Sequence, residues 1–214
     1  MMDENQVKTI VAEVLKHIDL NGRIRSGSVP CGVSNRHLHV SQADLETLFG
    51  KGYQLTQMKA LSQPGQYAAE ELVLLVGPKS SIEKCRILGP VRPSTQVEVS
   101  LTDCFKLGVK PFVRDSGNTA GTPGCVLVGP KGSVILREGV IVAARHIHLS
   151  TAEASKFGLK DMDRISIKSS GTRSVVFNNV LVRVSDKFAL DFHLDTDEAN
   201  AAGIKNGDMV EIVA

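Results

Sequence analysis

One short unit recurs four times in this chain of 214 residues, and it limits the possible folds more than any other feature. Each copy has a histidine or glutamate at its lead position, then an aliphatic residue, a serine or aspartate, two spacers and an acid. A serine or aspartate followed three places later by an acid is typical of the capping box that begins a helix. The copies are HVSQAD (39–44), EVSLTD (98–103), HLSTAE (148–153) and HLDTDE (193–198).

The surroundings of each copy predict a strand before it and a short helix after it. Alternating aliphatic residues precede the lead position, as in 95–99 and 190–194, and a glycine follows each helix. Short strands between glycine and proline turns make up most of the remaining sequence. We therefore predict a mainly β protein with two small β-barrels, double-psi-like in type and capped by short α-helices.

The lead positions also predict a metal site. Two copies carry a second histidine two residues before the lead histidine, and side chains at this spacing lie on the same side of a strand. Imidazole with carboxylate favours zinc, although the donor set leaves iron, cobalt and nickel open, and incidental histidines in a duplicated unit are the alternative. Six ligands give three for each of two ions, which leaves a position open as in catalytic zinc sites. The predicted ligands are His37, His39, Glu98, His146, His148 and His193.

Composition argues against several other classes of protein. The net charge is +2 and the basic residues are scattered, so we expect no nucleic-acid partner. No apolar run approaches the roughly 20 residues that span a membrane, and the N-terminus lacks the apolar region of a signal peptide, which favours the cytoplasm. The four cysteines show no C-x-x-C spacing, and we expect them to be small buried hydrophobic residues.

The first 25 residues differ from the rest of the chain. Between Val7 and Ile18 the apolar residues fall on one face of a helix, and Asn21-Gly22 would end it. Such an amphipathic helix can pack on the body of the protein or dock on a partner, and the residues favour neither.

Longer motifs in the chain resemble the PduL-type phosphate propanoyltransferase (phosphotransacylase) family. The resemblance extends from about Pro30 to the C-terminus, and it implies a fold of two β-barrels capped by short helices. Residues 26–35 and 144–214 would form one barrel and 36–143 the other, with 1–25 as an N-terminal helix and linker. The motifs are GVSNRHLHVS, ALSQPGQYAAEELVLLVGPK, ILGPVRPSTQVEVS, GVIVAARHIHLS and DFHLDTDEANAAGIKNGD.

The resemblance also implies a reaction. Acyl-CoA (propanoyl-CoA or acetyl-CoA) and phosphate would be interconverted with acyl phosphate and CoA at two zinc ions per chain. His37, His39 and Glu98 would bind one zinc with the sulfur of CoA, and His146, His148 and His193 the other. Arg92 would be the catalytic residue that binds phosphate. The substrate-binding positions would be Arg92, Arg183, Ser116, Gln63, Gln66 and Gln96.

Family members from bacterial microcompartments carry a short N-terminal helix that targets them to the shell interior. Residues 3–20 resemble that peptide, so the resemblance implies a shell-protein partner, a microcompartment location and a role in 1,2-propanediol degradation or related catabolism. It also implies a homo-oligomer, a dimer or larger.

Two other functions compete with this one. Gly139-x6-His146-x-His148-x4-Glu153 is close to a cupin motif, which would suggest a metal-dependent hydrolase or isomerase, but Glu153 falls in a capped helix and not on a strand. The other candidate is a non-catalytic microcompartment-associated protein whose metal ions only hold two barrels together.

Overall fold

The structure is a computed structural model, and it describes residues 27–213. Strands dominate this range, and the predicted N-terminal helix lies outside it. The strands are β1 (Gly27–Ser34), β2 (His37–His39), β3 (Gln57–Ala60), β4 (Tyr67–Val76), β5 (Ser81–Gly89), β6 (Gln96–Glu98), β7 (Val113–Arg114), β8 (Cys125–Val128), β9 (Ser133–Leu136), β10 (Val140–Ala143), β11 (His146–Leu149), β12 (Arg164–Lys168), β13 (Val176–Val184), β14 (Asp191–Asp195) and β15 (Met209–Val213). The helices are α1 (Gln42–Phe49), α2 (Leu101–Leu107), α3 (Thr151–Phe157) and α4 (Thr196–Ala202).

Six strands form a closed barrel in the order β1-β14-β11-β13-β12-β15. Strand β1 closes it, because it pairs in parallel with β14 on one side and antiparallel with β15 on the other. The barrel therefore combines the first described strand with the last five strands of the chain. Its core is apolar and includes the fully buried side chains of Ile147, Leu149 and Phe192.

The strands from β2 to β10 form a second sheet in the order β7-β10-β6-β2-β5-β4-β8-β9, with β3 paired to β4. This sheet is curled into a half-barrel around its own apolar core, but its end strands β7 and β9 do not pair with each other. We call it the half-barrel. The predicted mainly β fold with two barrel-type sheets and short helices is confirmed, and only the first sheet is closed.

The four repeated units fold as the capping pattern predicts. Each helix begins at the serine or aspartate of its unit, and each such cap is expected to stabilise the helix by about 1 kcal/mol. Three helices end at glycines in the left-handed conformation, with φ values of 76°, 67° and 67° at Gly108, Gly158 and Gly203. The caps Ser41, Ser100, Ser150 and Asp195 accept hydrogen bonds from the backbone N–H groups of Asp44, Asp103, Glu153 and Glu198, respectively.

One arginine–carboxylate ion pair links the first unit to the second, and another links the third unit to the fourth. Arg36, three residues before the first unit, binds both carboxylate oxygens of Asp103 in the second, with Nε–O distances of 3.0 and 2.9 Å. Arg145, three residues before the third unit, binds Glu198 of the fourth at 2.6 Å. Because each arginine precedes the first histidine of its unit, these ion pairs fix the start of the ligand-bearing strands β2 and β11. The arginines act as scaffold within each sheet.

The four cysteines are buried and free, as predicted. Burial raises the pKa of Cys31, Cys85 and Cys125 to about 12 and that of Cys104 to about 11, so the thiols stay neutral and act as packing groups. No helix within residues 27–213 has the length and apolar character that crossing a membrane requires.

Candidate metal centre and active-site cleft

The first cluster of predicted ligands lies where β2 and β6 pair in the half-barrel. The antiparallel register sets His37 opposite Glu98, and the strand alternation places His39 on the same side as His37. The Nε2 atoms of the two histidines lie 3.4 and 3.9 Å from the Glu98 carboxylate oxygens. One ligand atom from each residue falls within 4.8 Å of the others, which is close enough for a single ion to bind all three.

The second cluster lies at the corresponding place in the closed barrel, where β11 pairs antiparallel with β14. The register sets His146 opposite His193, and His148 lies on the same face as His146. The ring centroids are 4.8 Å apart for His146 and His148, 5.2 Å for His146 and His193, and 5.1 Å for His148 and His193. The three imidazoles therefore form a compact group.

Backbone carbonyl groups fix the orientation of three histidine rings. The Nδ1 atoms of His37 and His146 lie 2.8 and 2.9 Å from the carbonyl oxygens two residues earlier, and Nδ1 of His39 lies 3.3 Å from that of Leu88. A carbonyl oxygen only accepts, so Nδ1 carries the proton and Nε2 keeps its lone pair. Histidines that bind metals in proteins are commonly held in this way.

Two ring nitrogens of the second cluster have no hydrogen-bond partner among the described residues. They are His148 Nδ1 and His193 Nε2, and both are buried. Leaving a buried polar atom unpaired costs about 1–3 kcal/mol, so natural proteins seldom keep two in one place without a use for them. A metal ion would satisfy this need at His148, and the carboxylate of Asp191, 3.3 Å away, is the nearest partner for His193 Nε2.

The protonation of the rings suits a metal as well. Metal ligation requires neutral imidazole, and burial is the main reason why the pKa values of four histidines are low. The values are about 3 for His39, about 4 for His146, about 2 for His148 and about 4 for His193. The donor atoms of the first cluster are thus close enough to share one ion. The second cluster suits a metal by its donor type, its unpaired ring nitrogen at His148 and its protonation state.

The ligand-type carboxylate of the first cluster is held as an anion. Burial alone would raise the pKa of Glu98, but the two neighbouring histidines and a hydrogen bond from Ser116 outweigh it and lower the pKa. Gln96 Nε2 donates to Glu98 Oε1 at 2.6 Å, and Ser116 Oγ donates to the same oxygen at 2.9 Å. Gln96 and Ser116, which the resemblance implies as substrate-binding positions, therefore contact a predicted metal ligand directly.

Both clusters face one cleft of about 950 Å³ between the two sheets. Arg92 and Arg183 line the same cleft, and Arg92 Nη1 donates to Ser116 Oγ at 3.3 Å. Burial lowers the pKa of Arg92. The Glu98 carboxylate partly offsets this effect, and the positive charge of Arg183 adds to it. Arginine remains charged at neutral pH, so this part of the cleft carries positive charge.

The two remaining predicted positions lie on the hairpin between β3 and β4. Gln66 and Gln63 both line the cleft, but Gln63 is only 4% exposed, and both ends of its amide are engaged. Its Nε2 donates to the carbonyl oxygen of Ala189 at 2.9 Å, and its Oε1 accepts from the N–H of Ala189 at 3.2 Å. Of the predicted site residues, Gln96 is the one that does not line the cleft.

The structure adds two residues that the sequence analysis missed. Asp191 is buried, and its Oδ2 lies 3.3 Å from His193 Nε2 and 2.5 Å from the Ser62 hydroxyl, which donates to it. A signal for Asp191 exists in the sequence, because Asp191-x-His193 has the same spacing as the two His-x-His pairs. Ser62 lies 129 residues away from Asp191 and has no such signal.

Comparison with known proteins relates most of the chain to one family. A family model described as phosphate propanoyltransferase matches residues 30–205. A protein of that name from Thermotoga maritima is 58% identical over 183 residues, which cover 85% of this chain and 87% of the relative. The relative of the same name from Lachnoclostridium phytofermentans is 50% identical over 99% of this chain and 100% of its own length. A third, from Salmonella typhimurium, is 47% identical over 96% of this chain and 95% of its own length.

Proposed function

Because this chain belongs to the phosphate propanoyltransferase family, a family of acyltransferases, we propose that it transfers an acyl group between CoA and phosphate with the help of two zinc ions. Acyl-CoA and phosphate would give acyl phosphate and CoA, and the family name points to propanoyl-CoA as substrate, with acetyl-CoA as a shorter alternative. The observation that carries this proposal is the meeting of two clusters of ligand-type side chains and two arginines in one cleft.

Six side chains would hold the zinc ions. His37, His39 and Glu98 would form the first site, and His146, His148 and His193 would form the second; their proximity supports this grouping. Zinc bound there would supply a Lewis acid for the thioester carbonyl and a soft ligand for the departing thiolate of CoA. Backbone carbonyl groups accept hydrogen bonds from Nδ1 of His37 and His146, so the Nε2 lone pairs of both rings remain available to bind zinc.

The arginines would bind the phosphate. A guanidinium group can hold two phosphate oxygens at once, and two such groups in a half-buried cleft compensate much of the phosphate charge. Ser116 fixes one Arg92 nitrogen and also holds Glu98, so the phosphate site and the first cluster share one anchor. In the reaction a phosphate oxygen bonds to the acyl carbon and the carbon–sulfur bond breaks. Holding both substrates in one cleft lowers the entropic barrier of this step.

The size of the cleft fits a two-substrate reaction. A volume of about 950 Å³ lies at the upper end of the range for small-molecule sites, and both sheets contribute to its walls. The strand pairing supports a division of the chain into one domain of residues 26–35 and 144–214 and another of residues 36–143. The reaction site would then lie between the two domains.

We also propose a cellular setting for the reaction. Residues 3–20 would dock on a shell protein, so that this cytoplasmic enzyme works inside a bacterial microcompartment in 1,2-propanediol degradation or a related pathway. The support is the amphipathic pattern of that segment and its resemblance to targeting peptides. The active form would be a homo-oligomer.

One assay separates this function from its alternatives. Free thiol release from propanoyl-CoA is measured with and without phosphate, and release that requires phosphate is the expected result. Release at the same rate without phosphate would identify a hydrolase. The absence of release from protein that contains zinc would favour a non-catalytic role.

A further inference from the structure

The residue two places before each lead position forms a second set of equivalent positions. In the first and third units these positions hold histidines of the two clusters, in the second Gln96 and in the fourth Asp191. The register of β11 and β14 sets Asp191 opposite His148, so its side chain lies on the ligand-bearing face of the closed barrel. Asp191 is thus placed by the fold among the three histidines of the second cluster.

The immediate contacts of Asp191 involve one ring of that cluster and one residue of the other sheet. The side chain is only 3% exposed, and its Oδ2 lies 3.3 Å from His193 Nε2. That nitrogen is buried and has no hydrogen-bond partner among the described residues, so a ring proton on it would face this carboxylate and leave Nδ1 of His193 as the metal-binding atom. On its other side Oδ2 accepts from the hydroxyl of Ser62, in the hairpin between β3 and β4, at 2.5 Å.

The first cluster has the same arrangement with different residues. Gln96 stands two places before Glu98 and donates to it at 2.6 Å, while Ser116 donates to Glu98 and accepts from Gln96, each at 2.9 Å. Glu98 is the single predicted ligand on β6, and His193 is the single predicted ligand on β14. Each of them therefore has a polar partner two residues earlier on the same strand. A serine of the half-barrel contacts that partner in both cases.

The surroundings leave Asp191 and His193 little freedom to move. Strand β1 passes against them at Gly32, which pairs with His193. A Cβ atom at Gly32 would lie 2.9 Å from Asp191 Oδ2 and 3.1 Å from both Cε1 and Nδ1 of His193, closer than side chains normally approach. On the other side, Gln63 binds both backbone groups of Ala189 and fixes the hairpin that carries Ser62.

We propose that Asp191 is a positioning residue that orients the ring of His193 for metal binding, and that Ser62 holds Asp191 in place from the half-barrel. This inference rests on the proposed function, since it assumes a metal at the second cluster. A carboxylate next to a metal-binding histidine fixes the orientation and protonation of the ring. The second cluster would then depend on both sheets, although all three of its histidines belong to the closed barrel.

The test measures zinc affinity by competition with a chelator. The binding step that is lost in His148→Ala identifies the affinity of the second site. Loss of a residue that orients a metal ligand typically weakens binding about 10- to 100-fold, which is the expectation for Asp191→Ala at one of the two sites. Ser62→Ala removes one hydrogen bond and should weaken the same site roughly fivefold. Ser62→Thr keeps the hydroxyl at an exposed position and should bind like the natural protein.

Two controls keep the result specific. Ser166→Ala removes a hydroxyl that donates to Asn178 in the closed barrel, outside the cleft, and should leave both affinities unchanged. Asp191→Asn keeps an oxygen that can accept a hydrogen bond from His193. A positioning role therefore predicts that its zinc affinity lies between that of the natural protein and that of Asp191→Ala. An Asn variant as weak as the Ala variant would indicate direct metal ligation by Asp191 and overturn the inference.

The remaining outcomes separate this inference from the proposed function. Natural protein that binds no zinc would contradict the proposed function itself. Natural protein that binds two ions, with the same affinities in Asp191→Ala and Ser62→Ala, would overturn only the positioning role. Circular dichroism of each variant confirms that it is folded, and Gly32→Ala offers an independent disturbance of the Asp191–His193 pair that should weaken the same site.

Discussion

Acidification should destabilise the metal-free protein because its cluster histidines are buried in the neutral form. A histidine has an ordinary pKa near 6.5, and burial lowers this to about 3 for His39 and about 2 for His148 in the folded protein. Below pH 6.5 the unfolded chain therefore binds protons that the folded protein does not. Stability is lost as the pH falls through the unfolded pKa.

The size of this effect follows from the two pKa values. About pH 5 lies about 1.5 pH units below the pKa of an unfolded histidine, so each histidine is almost fully protonated in the unfolded chain. In the folded protein the same two histidines remain almost entirely neutral at this pH. Each of these two histidines should therefore lower the free energy of unfolding by about 2 kcal/mol between neutral pH and about pH 5. His146 and His193, whose folded pKa values are about 4, should add losses of the same sign.

The assay is urea unfolding of chelator-treated protein at about pH 7.5 and about pH 5, for the natural chain and for His148→Gln. The variant lacks one of the buried titrating groups, so its stability should change by about 2 kcal/mol less between the two pH values. Equal pH dependence of the two proteins would refute the assignment of His148 as a buried neutral ring. A natural protein that becomes more stable on acidification would refute the reasoning for the whole group.

Two further substitutions probe the cleft and the scaffold. Arg92→Lys keeps the charge but loses bidentate binding, so the KM for phosphate in the thiol-release assay should rise roughly 10- to 100-fold; an unchanged KM would exclude Arg92 from the phosphate site. Arg36→Ala leaves the buried carboxylate of Asp103 without its cation and should lower the free energy of unfolding by about 2 kcal/mol, whereas loss below about 0.5 kcal/mol would mean that the pair contributes little. Arg164 provides the controls, because it is exposed and donates to the carbonyl oxygen of Asn179. Arg164→Lys is the control for Arg92→Lys, and Arg164→Ala is the control for Arg36→Ala.

Local patterns in the sequence were enough to predict the four units. The strand alternation, the capping residues and the terminal glycines depend on neighbours within a few positions, so they can be read from one chain. Glu98 was predicted as a ligand because it occupies the lead position of its unit, and the structure brings it to His37 and His39. The assembly of the clusters then follows from antiparallel register.

Features that depend on distant parts of the chain could not be predicted in this way. Whether the second sheet closes depends on how β7 and β9 meet, and neither strand carries a signal for its neighbour. The pairing of the Gln63 amide with the backbone of Ala189, 126 residues away, has no signal in the neighbouring sequence. The contact of Ser62 with Asp191 spans a similar separation and depends on the packing of one sheet against the other.

Zinc-dependent acyl transfer is tested most directly by removing and returning the metal. Phosphate-dependent thiol release from propanoyl-CoA is measured on purified protein, on protein stripped with a chelator, and on stripped protein after addition of zinc. We expect the rate to fall to the background on stripping and to recover as two equivalents of zinc per chain are added. An undiminished rate in protein that metal analysis shows to be free of zinc would contradict the proposed mechanism.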